Sequence, residues 1–188
     1  MLAKETISKI KELLAKAKVK SPWLLHFDCG SCNGCDIETL ACLTPVYDIE
    51  RFGIVNMGNP KHADILLVTG TVNHKNKKVL KNLYEQMLSP KVVVAIGSCA
   101  LSGGIFKDCP NVVGGVDKVI PVDVFVPGCP AKPEAIIDGV ALGLQKLAAK
   151  TEPAKTTAGK PSNRLKVKAK GKTEAEVKAK AKVKVKGK

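Results

Sequence analysis

Three short, mostly apolar runs constrain this chain more than any other feature: Asp64–Thr69 (DILLVT), Val92–Ile96 (VVVAI) and Val122–Val126 (VDVFV). A strand with one wet face alternates apolar and polar residues, whereas a run apolar throughout is covered on both faces. Helical patterns separate and follow these runs. Asn76–Leu88 (NKKVLKNLYEQML) is amphipathic at helical spacing, and Pro133–Ala149 forms a second long pattern. Upstream, Trp23–Phe27 (WLLHF) reads as a strand and Asp36–Leu43 as a short helix stopped near Pro45. Ile49–Val55 is a weaker strand candidate.

Strands alternating with helices predict a mostly parallel sheet with helices on both faces. The expected fold is a small doubly wound, flavodoxin-like α/β domain over residues 21–149. Residues 2–18 place Ile7, Ile10, Leu13, Leu14 and Ala17 on one face among lysines, so residues 1–20 are expected to form a basic amphipathic helix.

The formal charge of +14 suggests nucleic acid, but its distribution argues otherwise. From Lys150 to Lys188 there are 14 Lys/Arg and 3 Asp/Glu, which leaves only +3 for the first 149 residues. The basicity therefore belongs to a low-complexity tail, residues 150–188, whose lysines repel one another and whose large apolar groups are few. Such a composition favours disorder. It also suits an anionic lipid surface, where each lysine contributes about 1 kcal/mol. Nucleic-acid binding has no aromatic platform in its support. No stretch reaches the roughly 18–20 apolar residues of a membrane span. Lysines throughout the N-terminus read against a secretory signal.

The seven cysteines then give the chain its chemistry. Without an export signal they read as metal ligands or thiols rather than as a disulfide framework. Cys29, Cys32 and Cys35 follow the WLLHF strand in CGSCNGC, Cys99 follows VVVAI in GSCALSGG, and Cys129 follows VDVFV in PGCPAKPE. The carboxyl ends of parallel strands lie along one edge, where ligands bind. Glycines in these loops let the backbone turn sharply and bring amides near a bound group. Four thiolates suit zinc or an iron–sulfur cluster. Structural zinc sites commonly pair two close doublets, whereas one doublet and two distant single cysteines suit a cubane better. Zinc, buried thiols and a thioredoxin-type CxxC dithiol are the alternatives. Cys42 reads as a core thiol and Cys109 as a loop thiol, while Cys29 is ambiguous as a ligand. His26, His62 and His74 have no partner at ligand spacing and are expected to be structural.

The motifs SCNGCDIE, LTPxYDxERFG, ADILLVTG, GxCxxxGGxF and VPGCPxxPEAI occur in this order. Over roughly residues 21–147 the chain resembles the small subunit of energy-converting, membrane-bound NiFe hydrogenases, a relative of the 20 kDa subunit of respiratory complex I. The resemblance implies one 4Fe–4S cluster, proximal to a NiFe centre and held by Cys32, Cys35, Cys99 and Cys129. It further implies an electron-transfer role with catalysis on a separate NiFe-type large subunit. The other implied partners are a ferredoxin-like iron–sulfur subunit and membrane ion-pumping subunits, with the chain peripheral at the cytoplasmic face. The complex I branch has two adjacent cysteines where this chain has Cys32 and Cys35, and Cys29 departs from the common pattern. Glu38, and with it Asp36, is a candidate for proton movement or interface bonding. Asp36 equally suits the start of a helix.

Two other readings compete. The same relay could serve a quinone- or sulfur-reducing complex lacking nickel, or the chain could be a zinc module whose tail engages nucleic acid. An independent enzyme is not expected, because the chain shows no nucleophile–base arrangement, P-loop or GxGxxG.

Overall fold

The computed structural model describes residues 19–151, together with Leu13 and Ala17. The amphipathic helix expected over residues 2–18 lies almost wholly outside the described residues, as does the lysine-rich tail beyond Thr151.

Five parallel strands make the main sheet: β1 (Trp23–Asp28), β2 (Val55–Asn56), β3 (Ile65–Thr69), β5 (Val92–Ile96) and β7 (Val124–Val126). Their order is β2-β1-β3-β5-β7. Counting only these strands, the order is the 2-1-3-4-5 arrangement of flavodoxin-like folds, with the chain reversing direction of travel between β1 and β3. β3 and β5, the two fully apolar runs, lie at the centre and are buried along their whole lengths. β7 is at one edge, and its middle residue, Phe125, is exposed.

Side chains alternate between two cores. One contains Leu24, Ile65, Leu67, Val92, Val94 and Val126, covered by α1 (Gly34–Ala41) and α4 (Pro133–Thr151). The other contains Leu25, Leu66, Val68, Val93 and Ala95, covered by α2 (Asn76–Gln86) and α3 (Gly97–Ser102). Leu80 of α2 is fully buried, which is worth about 1.5–3 kcal/mol relative to exposure. α4 approaches the sheet closely because Gly139 and Gly143 face it. A Cβ on Gly139 would lie 2.3 Å from Val126 Cγ2.

Three local expectations require correction. The weak strand over Ile49–Val55 is a 3-10 turn, Ile49–Phe52, followed by the two-residue β2. Left-handed residues flank the turn, Asp48 at φ 43° and Gly53 at φ 83°, so the backbone cannot run extended through it. The segment after β5 is a short helix rather than an open loop. A small antiparallel pair, β4 (Val72–Asn73) with β6 (Val112–Gly114), adds two strands that hydropathy does not predict. Neither strand is long enough to show a period.

Candidate metal centre

The parallel register aligns the strand ends, so Asp28 pairs with Thr69 and Thr69 with Ile96. The cysteine-bearing segments, two loops and the short helix α3, leave from this one edge. Asp28 shapes the first, its Oδ1 accepting from the amides of Gly30 and Ser31, both at 2.7 Å. Ser31 Oγ then accepts from Asn33 N at 3.0 Å. Asn33 adopts the left-handed region at φ 64° and starts α1, which places Cys35 in the first helical turn.

The glycines show how near the loops come. A Cβ on Gly34 would lie 3.4 Å from Cys32 Sγ and 3.5 Å from Pro130 Cβ, so the first and last loops meet there. A Cβ on Gly97, which has φ 83°, would lie 2.5 Å from Cys35 Sγ and 3.6 Å from Gly128 O. Gly104 leaves room for the Cys99 thiol, whose Sγ would be 3.1 Å from an added Cβ. The β5 and β7 ends are tied together through Gly128, whose carbonyl accepts from Ser98 N at 2.8 Å and Ser98 Oγ at 3.0 Å.

The four thiols feel one another's charge. Burial raises the Cys35 pKa first; Asp36, Cys32 and Cys129 add to it, and a backbone hydrogen bond from Ala131 opposes it. Burial likewise raises Cys99, with Cys129, Cys32 and Cys35 contributing. Four thiolates in mutual repulsion need a cationic group among them to coexist. Their softness favours iron–sulfur, zinc or copper(I). Among the described residues, no three His, Cys, Asp or Glu side chains converge tightly enough to hold a single metal ion. One tetrahedral zinc requires sulfurs about 3.8 Å apart, from Zn–S bonds of about 2.3 Å. A cubane takes one thiolate on each of four irons and accommodates wider spacing. Cysteine sulfurs alone are a donor set that an iron–sulfur cluster takes.

The other cysteines stand apart. Cys29 is fully buried in the second core, packed on the sheet face opposite α1. Burial, then the Asp28 charge, pushes its pKa up to about 12. Cys42 is buried at the end of α1 with its pKa raised to about 11, mainly by desolvation. Cys109 is exposed in its loop.

His26, expected to be structural, has partners that spacing did not reveal. Its Nε2 lies 2.9 Å from Asp36 Oδ1 and 3.2 Å from Thr69 Oγ1. Thr69 Oγ1 donates to Asp36 Oδ1 at 2.6 Å, and Ser31 Oγ donates to Asp36 Oδ2. The only available signal was strand periodicity, which puts His26 on the same face as Leu24, toward α1. His62 stacks obliquely near Trp23, with ring centroids 5.5 Å apart. Glu38 is half-buried, and its charge reaches Cys42 and Tyr47. The Tyr47 hydroxyl donates to Glu134 Oε1 at 3.1 Å, and that bond is the first cause of its raised pKa.

Comparison with known proteins decides the lineage. Residues 32–142, more than half of the chain, match the family described as NADH ubiquinone oxidoreductase, 20 Kd subunit. The chain belongs to this family. Within it, the chain is 55% identical over 135 residues to the probable membrane-bound hydrogenase subunit mbhJ of Pyrococcus furiosus, covering 72% of this chain and 81% of that protein. It is 47% identical over 141 residues to an NADH-quinone oxidoreductase subunit of Flavobacterium psychrophilum, covering 74% and 75%. A chain in the structure of the membrane-bound sulfane sulfur reductase, an archaeal respiratory membrane complex, superposes with a TM-score of 0.64 at 39% identity, covering 73% of this chain and 76% of that one. The 20 kDa family is thus one of oxidoreductase-complex subunits. Among the described residues, no helix of this member is long and apolar enough to cross a membrane.

Proposed function

We propose that this chain carries one 4Fe–4S cluster on Cys32, Cys35, Cys99 and Cys129, and that it relays electrons to a NiFe centre on a separate large subunit. What supports the reading is that the segments bearing these four cysteines follow the carboxyl ends of three parallel strands, β1, β5 and β7, at one edge of the sheet. Family membership supports an electron-transfer role in a membrane-bound hydrogenase or related complex I-like assembly. The 55% identity to a membrane-bound hydrogenase subunit favours the hydrogenase branch.

When bound, the cluster would supply single-electron transfer. The chain's own residues supply the cradle: Gly34, Gly97 and Gly104 leave space beside the thiols, and the Ala131 amide donates toward Cys35. Such amide donors favour the reduced state and help set the potential. Ile37 and Leu40 are exposed on one face of α1, next to the site, with exposed Val46 beyond the helix. Apolar surface of this kind suits coverage by another subunit. The expected partners are the NiFe-type large subunit, a ferredoxin-like subunit delivering electrons, and membrane ion-pumping subunits. The expected position is peripheral, at the cytoplasmic face. Glu38 is proposed to act in proton movement or bonding at the large-subunit interface. Unchanged hydrogen evolution in a Glu38→Gln complex with an intact cluster would sink the proton role.

The deciding experiment is electron paramagnetic resonance with iron, sulfide and nickel quantification on the intact complex. One 4Fe–4S signal should disappear on serine substitution of any of the four cysteines and survive Cys29→Ser. Stoichiometric zinc without iron and acid-labile sulfide overturns the reading, as do two clusters assigned to this chain. The match to the sulfane sulfur reductase favours a second reading, the same relay in a sulfur-reducing complex. Nickel in the purified assembly decides between them.

A further inference from the structure

Asp36 directly follows Cys35, and its side chain is turned toward the sheet. The carboxylate is only 14% exposed, and it accepts hydrogen bonds from three separate segments. Ser31, immediately before Cys32, donates to Oδ2. Thr69, the last residue of β3, donates to Oδ1 at 2.6 Å. His26 of β1 approaches Oδ1 at 2.9 Å. With the proton assigned to Nε2, the imidazole donates to both Asp36 and Thr69, and every close contact pairs a donor with an acceptor. Thr69 is fully buried, and His26 projects from a strand in register with β3.

Two consequences follow from this arrangement. Mechanically, Asp36 closes the cysteine loop: one carboxylate holds the residue before Cys32 and carries the residue after Cys35, and both are fastened to the sheet. Electrically, it sets a carboxylate group in a largely buried position one residue from the Cys35 sulfur. Adding an electron to a group beside a fixed negative charge is disfavoured, more so at low effective dielectric.

We propose that Asp36 is a positioning residue for the 4Fe–4S cluster: its clasp on Ser31, Thr69 and His26 holds the Cys32–Cys35 loop rigid, and its charge lowers the reduction potential. This rests on the reading that the four cysteines hold a cluster. Bonds to charged groups are stronger than neutral ones, so a carboxylate is better suited to this clasp than an amide.

The test is a redox titration followed by electron paramagnetic resonance, with the rate of iron loss to a chelator, on the intact wild-type complex and its variants. Asp36→Asn should shift the midpoint potential upward, and Asp36→Glu, which keeps the charge, should return it toward wild type. Thr69→Val and Ser31→Ala keep the Asp36 carboxylate but each remove one bond to it, along with the bond that the same hydroxyl accepts from His26 or Asn33, so they should speed iron loss several-fold and shift the potential less than Asp36→Asn. An unchanged potential in Asp36→Asn overturns the charge role, as does an equal shift in Asp36→Glu. Unchanged iron-loss rates in Thr69→Val and Ser31→Ala overturn the clasp, and this arm remains decisive if Asp36→Asn does not assemble. A wild-type complex without any iron–sulfur signal from this chain refutes the cluster reading itself, and that result is visible before any variant is made.

Discussion

Cys32 and Cys35 hang from a loop tied down by side chains, with Asp28 and Asp36 gripping it from either end. Cys99, in the short helix α3, and Cys129, in the loop after β7, are held largely by backbone, where Ser98 N donates to Gly128 O and glycines pass within contact of neighbouring backbone. The difference shows what each half tolerates. A side-chain tie can be loosened bond by bond, whereas a backbone tie depends on residues without a Cβ and yields all at once.

That contrast can be broken most forcefully at Gly128. It has φ 150°, and an added Cβ would lie 2.4 Å from Ala131 Cα, a backbone atom that cannot swing aside. Gly128→Ala is expected to destabilise the chain by about 2–6 kcal/mol, because backbone strain and overpacking each cost about 1–3 kcal/mol. Thermal unfolding and iron content measure the effect, and a wild-type melting curve would show that the β7 loop is not locked by its backbone. Thr69→Val should be milder. It removes one bond to Asp36 in a buried setting, at a cost of about 1–3 kcal/mol, readable as a lower denaturant midpoint at unchanged slope. Ser98→Ala should cost least, about 0.5–1.5 kcal/mol, because the Ser98 amide still reaches Gly128. If Ser98→Ala proves worse than Thr69→Val in the same denaturation series, the assignment of side-chain and backbone ties is reversed.

Alkaline pH sharpens the picture from another side. Cys29 and Cys42 have pKa values raised to about 12 and 11, against 9.0 for an ordinary thiol. The folded chain therefore holds these protons more tightly than the unfolded chain does. Their contribution to stability is full below about pH 9 and is lost as pH rises through the folded values. Cys29→Ala should flatten the alkaline fall in melting temperature. An unaltered slope would show that Cys29 does not titrate differently on folding.

Much of this site could be read from residues alone. DILLVT and VVVAI declare themselves as central strands because both faces are apolar, and the cysteines after such strands then share an edge by topology. Cys29 could not be resolved in this way. It lies three residues before Cys32, and only the turn at Gly30, with φ 129°, separates a thiol in the core from one at the edge. The link from His26 to Thr69 and Asp36 was hidden for a different reason. It joins residues 10 to 43 apart, and no local pattern records a side-chain bond across two strands and a helix. The β4–β6 pair is invisible to periodicity because strands of two and three residues carry no period.

The burial of Cys29 bears finally on which sulfurs the first loop offers. At the cluster site proposed above, a nearby fifth thiolate would be a competing sulfur ligand. At neutral pH Cys29 is neutral and sealed beneath the sheet, so CGSCNGC presents two of its three sulfurs to that site. For the cluster proposed above, the burial of Cys29 takes a competing sulfur out of the loop.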